Sequence, residues 1–96
     1  MVGQKLSAAN ELVQLLSVND AKARVAGFLL FRSSRIKGET IELTRDDISA
    51  YINIRRETIS RKLGELRKEG AVELEGNRKV HILNKDILRD IFENEI

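Results

Sequence analysis

Residues 43–66 read LTRDDISAYINIRRETISRKLGEL, and their apolar positions fall into two helical registers separated by a break. Ile48, Tyr51 and Ile52 recur at i, i+3 and i+4, the spacing that gathers side chains on one helix face. Thr44 stands three residues before Asp47, a pairing in which each side chain can satisfy the other's exposed backbone amide. A short helix is therefore predicted to begin at Arg45 and to end near Ile52. Asparagine is one of the few residues besides glycine that accepts the left-handed conformation, which puts the break at Asn53 and Ile54. At about 100 degrees per residue, Ile59, Leu63 and Leu66 of the second segment share one sector, and Arg56, Glu57, Ser60 and Arg61 share another.

Gly70 is placed to end this second helix. Apolar and polar residues then alternate over 72–74 and again over 80–82, with Gly76 and Asn77 between them, which predicts a small β-hairpin. Asn84 can cap a last helix with Ile87, Leu88 and Ile91 facing inward. Nearer the N-terminus, Asn19 or Asp20 can cap a helix running towards Ser34, its inward face supplied by Val25, Leu29 and Phe28 or Phe31. Ahead of it, Leu6, Ala9, Val13 and Leu16 recur at spacings of three, four and three, as along a coiled-coil seam. The alternative for that segment is a helix folded back on its own domain. Residues 35–40, with Gly38, read as a loop leading to a short strand near 41–43. The fold class is thus mainly α with a small β hairpin.

Ninety-six residues with 42% hydrophobic content suffice for one small domain, with a single core. The formal charge is only +2, yet residues 55–70 hold six basic side chains against three acidic ones. Residues 84–96 lean the other way, with Lys85 and Arg89 against Asp86, Asp90, Glu93 and Glu95. This asymmetry gives one end of the molecule to a polyanion and turns the other away from it. Absence of cysteine removes disulfides, thiolate metal sites and cysteine nucleophiles. His81 lies in an alternating segment without partners at ligand spacing and reads as a strand residue. No glycine-rich phosphate loop or nucleophile elbow is present, so an enzyme is not expected. The apolar runs are too short to span a bilayer and there is no signal-peptide core, which points to a cytoplasmic protein.

The exposed face of the second helix carries the residue types that distinguish base pairs. Arginine donates two parallel hydrogen bonds to guanine, glutamate accepts from the cytosine amino group, and serine serves several edges. A merely solvated charged face is the alternative. Near the hairpin tip, Arg78 and Lys79 can meet phosphate, and the amides of Gly76 and Asn77 can approach it closely because glycine imposes no side chain. Here too a simply solvated tip is the alternative.

From Leu43 to Leu83 the chain resembles the DNA-binding domain of the cyclic-AMP receptor protein and FNR family of bacterial transcription regulators. The most specific part is Arg56-Glu57-Thr58-Ile59-Ser60-Arg61, which is similar to the family's recognition-helix signature. The resemblance implies a winged helix-turn-helix with Arg56, Glu57, Ser60 and Arg61 reading bases, Glu57 and Arg61 above all. Arg56 matches the cyclic-AMP receptor branch, whereas Ser60 followed by Arg61 matches the FNR branch. Both branches share a TGA core, so a palindrome of TGA-containing half-sites is expected, with the preceding bases open. Backbone contacts are expected from Thr44, Arg45, Arg55, Thr58 and Lys62, and from Gly76, Asn77, Arg78 and Lys79 of the wing. Two departures from the family stand out: Asn53 replaces the usual turn glycine, and Arg55 replaces the usual serine or threonine.

The resemblance further implies that residues 1–18 are the end of a dimerisation-type helix and residues 19–96 the winged helix-turn-helix domain. The family's β-barrel sensor precedes this segment, and the chain begins at Met1 almost at the expected dimerisation helix. An excised DNA-binding domain is favoured over a naturally short protein. No cofactor is expected in this chain, and a cyclic nucleotide or other effector would belong to the sensor. The implied partners are double-stranded DNA and a second copy in the full-length homodimer, and the resemblance allows RNA polymerase as a further one. The rivals are a winged-helix protein-protein interaction module and a DNA binder without sequence preference.

Overall fold

The computed structural model describes residues 8–35 and 39–95, with side chains from residue 12 onward. Within them the chain runs α1 (Ala8–Ser17), α2 (Ala21–Ser33), β1 (Thr40–Glu42), α3 (Arg45–Ile52), α4 (Arg56–Lys68), β2 (Val72–Glu75), β3 (Lys79–Ile82) and α5 (Lys85–Glu93). The expected Leu6, Gly38 and Met1 lie outside the described residues, as does the side chain of Ala9.

Local chemistry sets the boundaries. The Asp20 carboxylate accepts from Ala23 N–H at 2.9 Å to start α2. Asn84 does the same for α5, accepting from Asp86 N–H at 3.0 Å and Ile87 N–H at 3.4 Å. At the end of α4 the Gly70 amide donates to Arg67 and the Ala71 amide to Leu66, both at 3.0 Å. That pair of bonds defines a Schellman stop, and it requires the left-handed φ of 83° that Gly70 adopts.

The strands form one antiparallel sheet in the order β1-β3-β2, so the hairpin gains a third strand on its β3 edge. In register, Thr40 faces His81, Ile41 faces Val80 and Glu42 faces Lys79. Across the other ladder Val72 faces Ile82 and Leu74 faces Val80. Alternation therefore sends Ile41, Val72, Val80 and Ile82 into the core, where each is buried. Thr40, Glu42, Glu73, Glu75, Lys79 and His81 share the outward face.

Helix α2 is the spine, packing against α5, α4, α1 and β1. A Cβ added at Gly27 would lie 2.4 Å from the Phe92 ring and 2.8 Å from Leu15, so glycine permits the close approach of α2 and α5. Phe92 also meets Phe31 edge-on at 5.3 Å between ring centres. On α4, Ile59, Leu63 and Leu66 are fully buried, as predicted.

Two expected inward faces differ in the structure. Tyr51 is 48% exposed, because the inward stripe of α3 is Arg45, Ile48 and Ile52 and Tyr51 sits on its flank. Its ring lies 5.7 Å from Phe28, with the Arg32 guanidinium 5.1 Å from its centre. On α1 Leu15 turns inward, as does Val18 just past its end, while the seam positions Val13 and Leu16 are 66% and 42% exposed. The helix folds onto its own domain through one side and leaves the seam side open.

One cation fastens α1 to the rest. The Arg24 guanidinium, on α2, donates to Val18 O from Nε at 3.0 Å and from Nη2 at 2.7 Å. It also donates to Leu16 O at 3.3 Å and to Ile52 O at 3.0 Å. No periodicity in the sequence announces this residue, since a lone arginine on a helix reads as surface charge.

Candidate nucleic-acid interface

Helix α3 starts with the predicted reciprocal cap. Asp47 N–H donates to the Thr44 hydroxyl at 3.1 Å, and Thr44 N–H donates to the Asp47 carboxylate at 3.2 Å. It stops at Asn53, which takes the left-handed conformation with φ 56° and ψ 49° and donates its N–H to Ser49 O. Asparagine thus takes the left-handed turn conformation predicted for it. Asn53, Ile54 and Arg55 connect α3 to α4, whose N-cap Arg55 makes no side-chain capping bond.

The candidate base-reading residues come together. Arg56, Glu57, Ser60 and Arg61 are all exposed on α4, opposite the buried stripe. Two of them have partners in the free protein. Arg61 Nη2 donates to the Thr58 hydroxyl at 3.3 Å, and Arg56 Nε stands 3.8 Å from the Asp46 carboxylate of α3. Both pairs are exposed and hold their arginines only weakly, yet they start those side chains near one position.

The candidate backbone contacts divide. Arg55, Gly76, Asn77 and Arg78 are exposed, and Thr58 and Lys79 are half-buried. Lys62 is half-buried and ion-paired with Glu65 at 3.3 Å. Glu65 also stands 3.9 Å from Lys22 of α2, which pairs in turn with Glu69. Lys62 therefore belongs partly to a network joining α4 to the start of α2. Thr44 caps α3 by accepting a bond, which leaves its hydroxyl proton to donate. It lines an open cavity of about 220 Å³ together with Glu42, Leu43, Asp47 and Arg78.

Arg45 departs from the outward role expected of it. It is 7% exposed, and its guanidinium donates to Asn77 O at 3.3 Å and to Gly76 O at 3.4 Å, both carbonyls of the wing tip. The physical reason is helix geometry: as the first residue of α3 it falls on the same stripe as Ile48 and Ile52. Burial, and secondarily the nearby Arg56 charge, lower its pKa from the usual arginine range.

His81 lies on the outward face of the sheet. The imidazole donates from Nε2 to the Glu75 carboxylate at 2.8 Å and accepts at Nδ1 from the Thr40 hydroxyl at 2.8 Å, the tautomer that satisfies both. The His81 bond, and then the Lys79 charge, hold the Glu75 carboxyl below its ordinary range. Among the described residues, no group of three or more histidines, cysteines and carboxylates is arranged to hold a metal ion. No described helix is long and apolar enough to cross a membrane.

Comparison with known proteins agrees with this geometry. Residues 23–91 match the family of Crp-like helix-turn-helix domains. The chain is 31% identical over 83 residues to electron transport regulator A of Shewanella oneidensis, covering 79% of this chain and 33% of the relative. It is 30% identical over 93 residues to the nitrogen fixation regulation protein FixK of Azorhizobium caulinodans, covering 88% of this chain and 38% of that one. The chain therefore spans between a third and two-fifths of the length of these relatives. Among solved structures, a putative Crp/Fnr-family transcriptional regulator from Eubacterium rectale superposes with a TM-score of 0.76 at 28% identity, over 85% of this chain and 38% of that one. The winged helix-turn-helix described above is theirs as well, and the chain belongs to the Crp-like helix-turn-helix family of Crp/FNR transcription regulators.

Proposed function

We propose that α4 enters the major groove of DNA and reads palindromic TGA-containing half-sites, with Glu57 and Arg61 as principal base contacts and Arg56 and Ser60 beside them. The observation that carries this is the division of α4. Ile59, Leu63 and Leu66 are at 0% exposure, while the face holding Arg56, Glu57, Ser60 and Arg61 stands open. Arginine and glutamate on a projecting helix are the donors and acceptors that discriminate G·C pairs. Arg55, Thr58, Lys62 and Thr44, with Gly76, Asn77, Arg78 and Lys79 of the wing, serve the phosphates on either side.

In this reading the exposed Val13 and Leu16 of α1 meet the same face of a second copy. Two recognition helices would then address half-sites about one DNA turn apart, on the order of 34 Å.

The test is fluorescence anisotropy of a labelled palindrome with TGTGA or TTGAT half-sites against a scrambled duplex, at two salt concentrations. Preference for the palindrome, removed by Glu57→Ala and by Arg61→Ala, supports base reading. Equal binding to both duplexes with a steep salt dependence reduces the domain to a backbone binder. If there is no binding at low salt, even after fusion to a dimeric coiled coil, a protein-interaction module becomes the better reading.

A further inference from the structure

We propose that Arg45 is a positioning residue that clamps the wing tip to the start of α3, so that Arg78 and Lys79 are held in place before DNA arrives; this rests on the DNA-binding reading above. A buried guanidinium is costly unless its donors are used. Here the two Nη groups reach the carbonyls of two consecutive residues, Gly76 and Asn77. Those carbonyls belong to the turn, where Gly76 adopts a left-handed φ of 61°, immediately ahead of Arg78 and Lys79. The β1–β3 ladder supports the wing only as far as the Glu42–Lys79 pair. Arg45 extends that support to the tip.

The planar fork of arginine suits two adjacent acceptors, and a lysine ammonium on a flexible stem does not reproduce it. Fixing the tip in advance lowers the ordering cost that a mobile hairpin would incur on binding. It also settles the spacing between the wing cations and α4, because α3 packs directly on α4. A direct phosphate contact by Arg45 would have to draw on the guanidinium N–H groups that the two carbonyls leave over.

The two roles separate in experiment. Backbone amide ¹⁵N relaxation is measured on the free chain as wild type, Arg45→Gln and Arg45→Lys, with the α4 and α5 amide shifts confirming that each variant is folded. The clamp predicts that the order parameters of Asn77 and Arg78 fall from the rigid range near ~0.85 to below ~0.6 in both variants. Lysine, which retains charge and aliphatic packing, does not rescue. In DNA binding, Arg78→Ala should weaken the wild type roughly two- to fivefold, as for one exposed charge contact, and have little further effect in the Arg45→Gln background.

Unchanged wing order parameters overturn the proposal. So does restoration of affinity by Arg45→Lys, with losses from Arg45→Gln and Arg78→Ala that multiply, since both mark a direct phosphate contact. If neither the wild type nor its fusion to a dimeric coiled coil binds a duplex, the DNA reading fails by itself, and the relaxation measurement still decides whether Arg45 clamps the wing.

Discussion

Helices α3 and α4 are joined by three residues, yet they begin in opposite ways. The start of α3 is closed: Thr44 and Asp47 satisfy each other's amides, and the acidic Asp46 and Asp47 complement the positive end of the helix. The start of α4 is open: Arg55 gives no side-chain cap, and it places a cation with Arg56 where an anion is electrostatically preferred. Side-chain capping is complete at one helix start and neglected at the other, where Glu57 alone supplies a first-turn acid. Such neglect is expected where an outside group supplies what the chain does not, and helix N-termini are suited to phosphate. In the DNA-binding reading proposed above, α3 is then the support and the front of α4 the part that meets the ligand.

The strongest test of that contrast shows where it stops. Both helices are held by core side chains, so Ile48→Ala and Leu63→Ala should each cost roughly 2–5 kcal/mol in urea unfolding. A much smaller loss for Leu63→Ala would mean that α4 is only loosely seated.

Outward residues of α4 should behave differently. Arg61→Ala is expected to leave stability within about 0.5 kcal/mol while costing roughly 1–3 kcal/mol in binding and relaxing choice at one G·C pair. Equal losses on specific and scrambled DNA would contradict the base contact.

The caps themselves come next. Thr44→Ala should destabilise by about 1 kcal/mol through loss of the reciprocal cap. Arg55→Ser installs the missing cap and should raise thermal stability by up to about 1 kcal/mol, while DNA affinity falls and its salt slope becomes shallower. A variant that gains both stability and affinity would break the comparison.

The smallest effect lies in the wing. The Glu75 carboxyl is held low by the His81 bond and then by Lys79. Because the folded value is depressed, its support is present above the ordinary carboxylate range and is lost as pH falls through the folded value. Unfolding midpoints of wild type and Glu75→Gln should therefore stay apart from about pH 7 down to the ordinary carboxylate range near pH 4 and converge only below it. A gap that widens in acid would reverse the sign.

Much of this architecture could be read directly from local patterns. The limits of α3, its cap, the left-handed Asn53, the buried stripe of α4 and the stop at Gly70 follow from spacing and conformational preference over a few residues. What escaped were contacts between segments distant in sequence. Arg45 and the Gly76–Asn77 carbonyls are separated by 31 and 32 positions, and nothing local distinguishes a buried arginine from an exposed one. Tyr51 matched the helical period but fell on the flank, because an i, i+3, i+4 pattern locates a sector without fixing its centre. The pairing of β1 with β3 escaped for the same reason as Arg45. The candidate base-reading face was the easiest part of the site to find, since it lies on one helix; the wing's attachment was the hardest.

Arg24 carries a consequence of a different kind. Neither α1 nor α3 has a basic residue in its last turn, so each presents an uncompensated negative end. The Arg24 guanidinium serves both, through Leu16 O and Val18 O near one end and Ile52 O at the other. Two helix ends share one counterion. A displacement of α1 that draws the guanidinium along withdraws it from Ile52, and whatever the first helix gains in hydrogen bonding the second gives up.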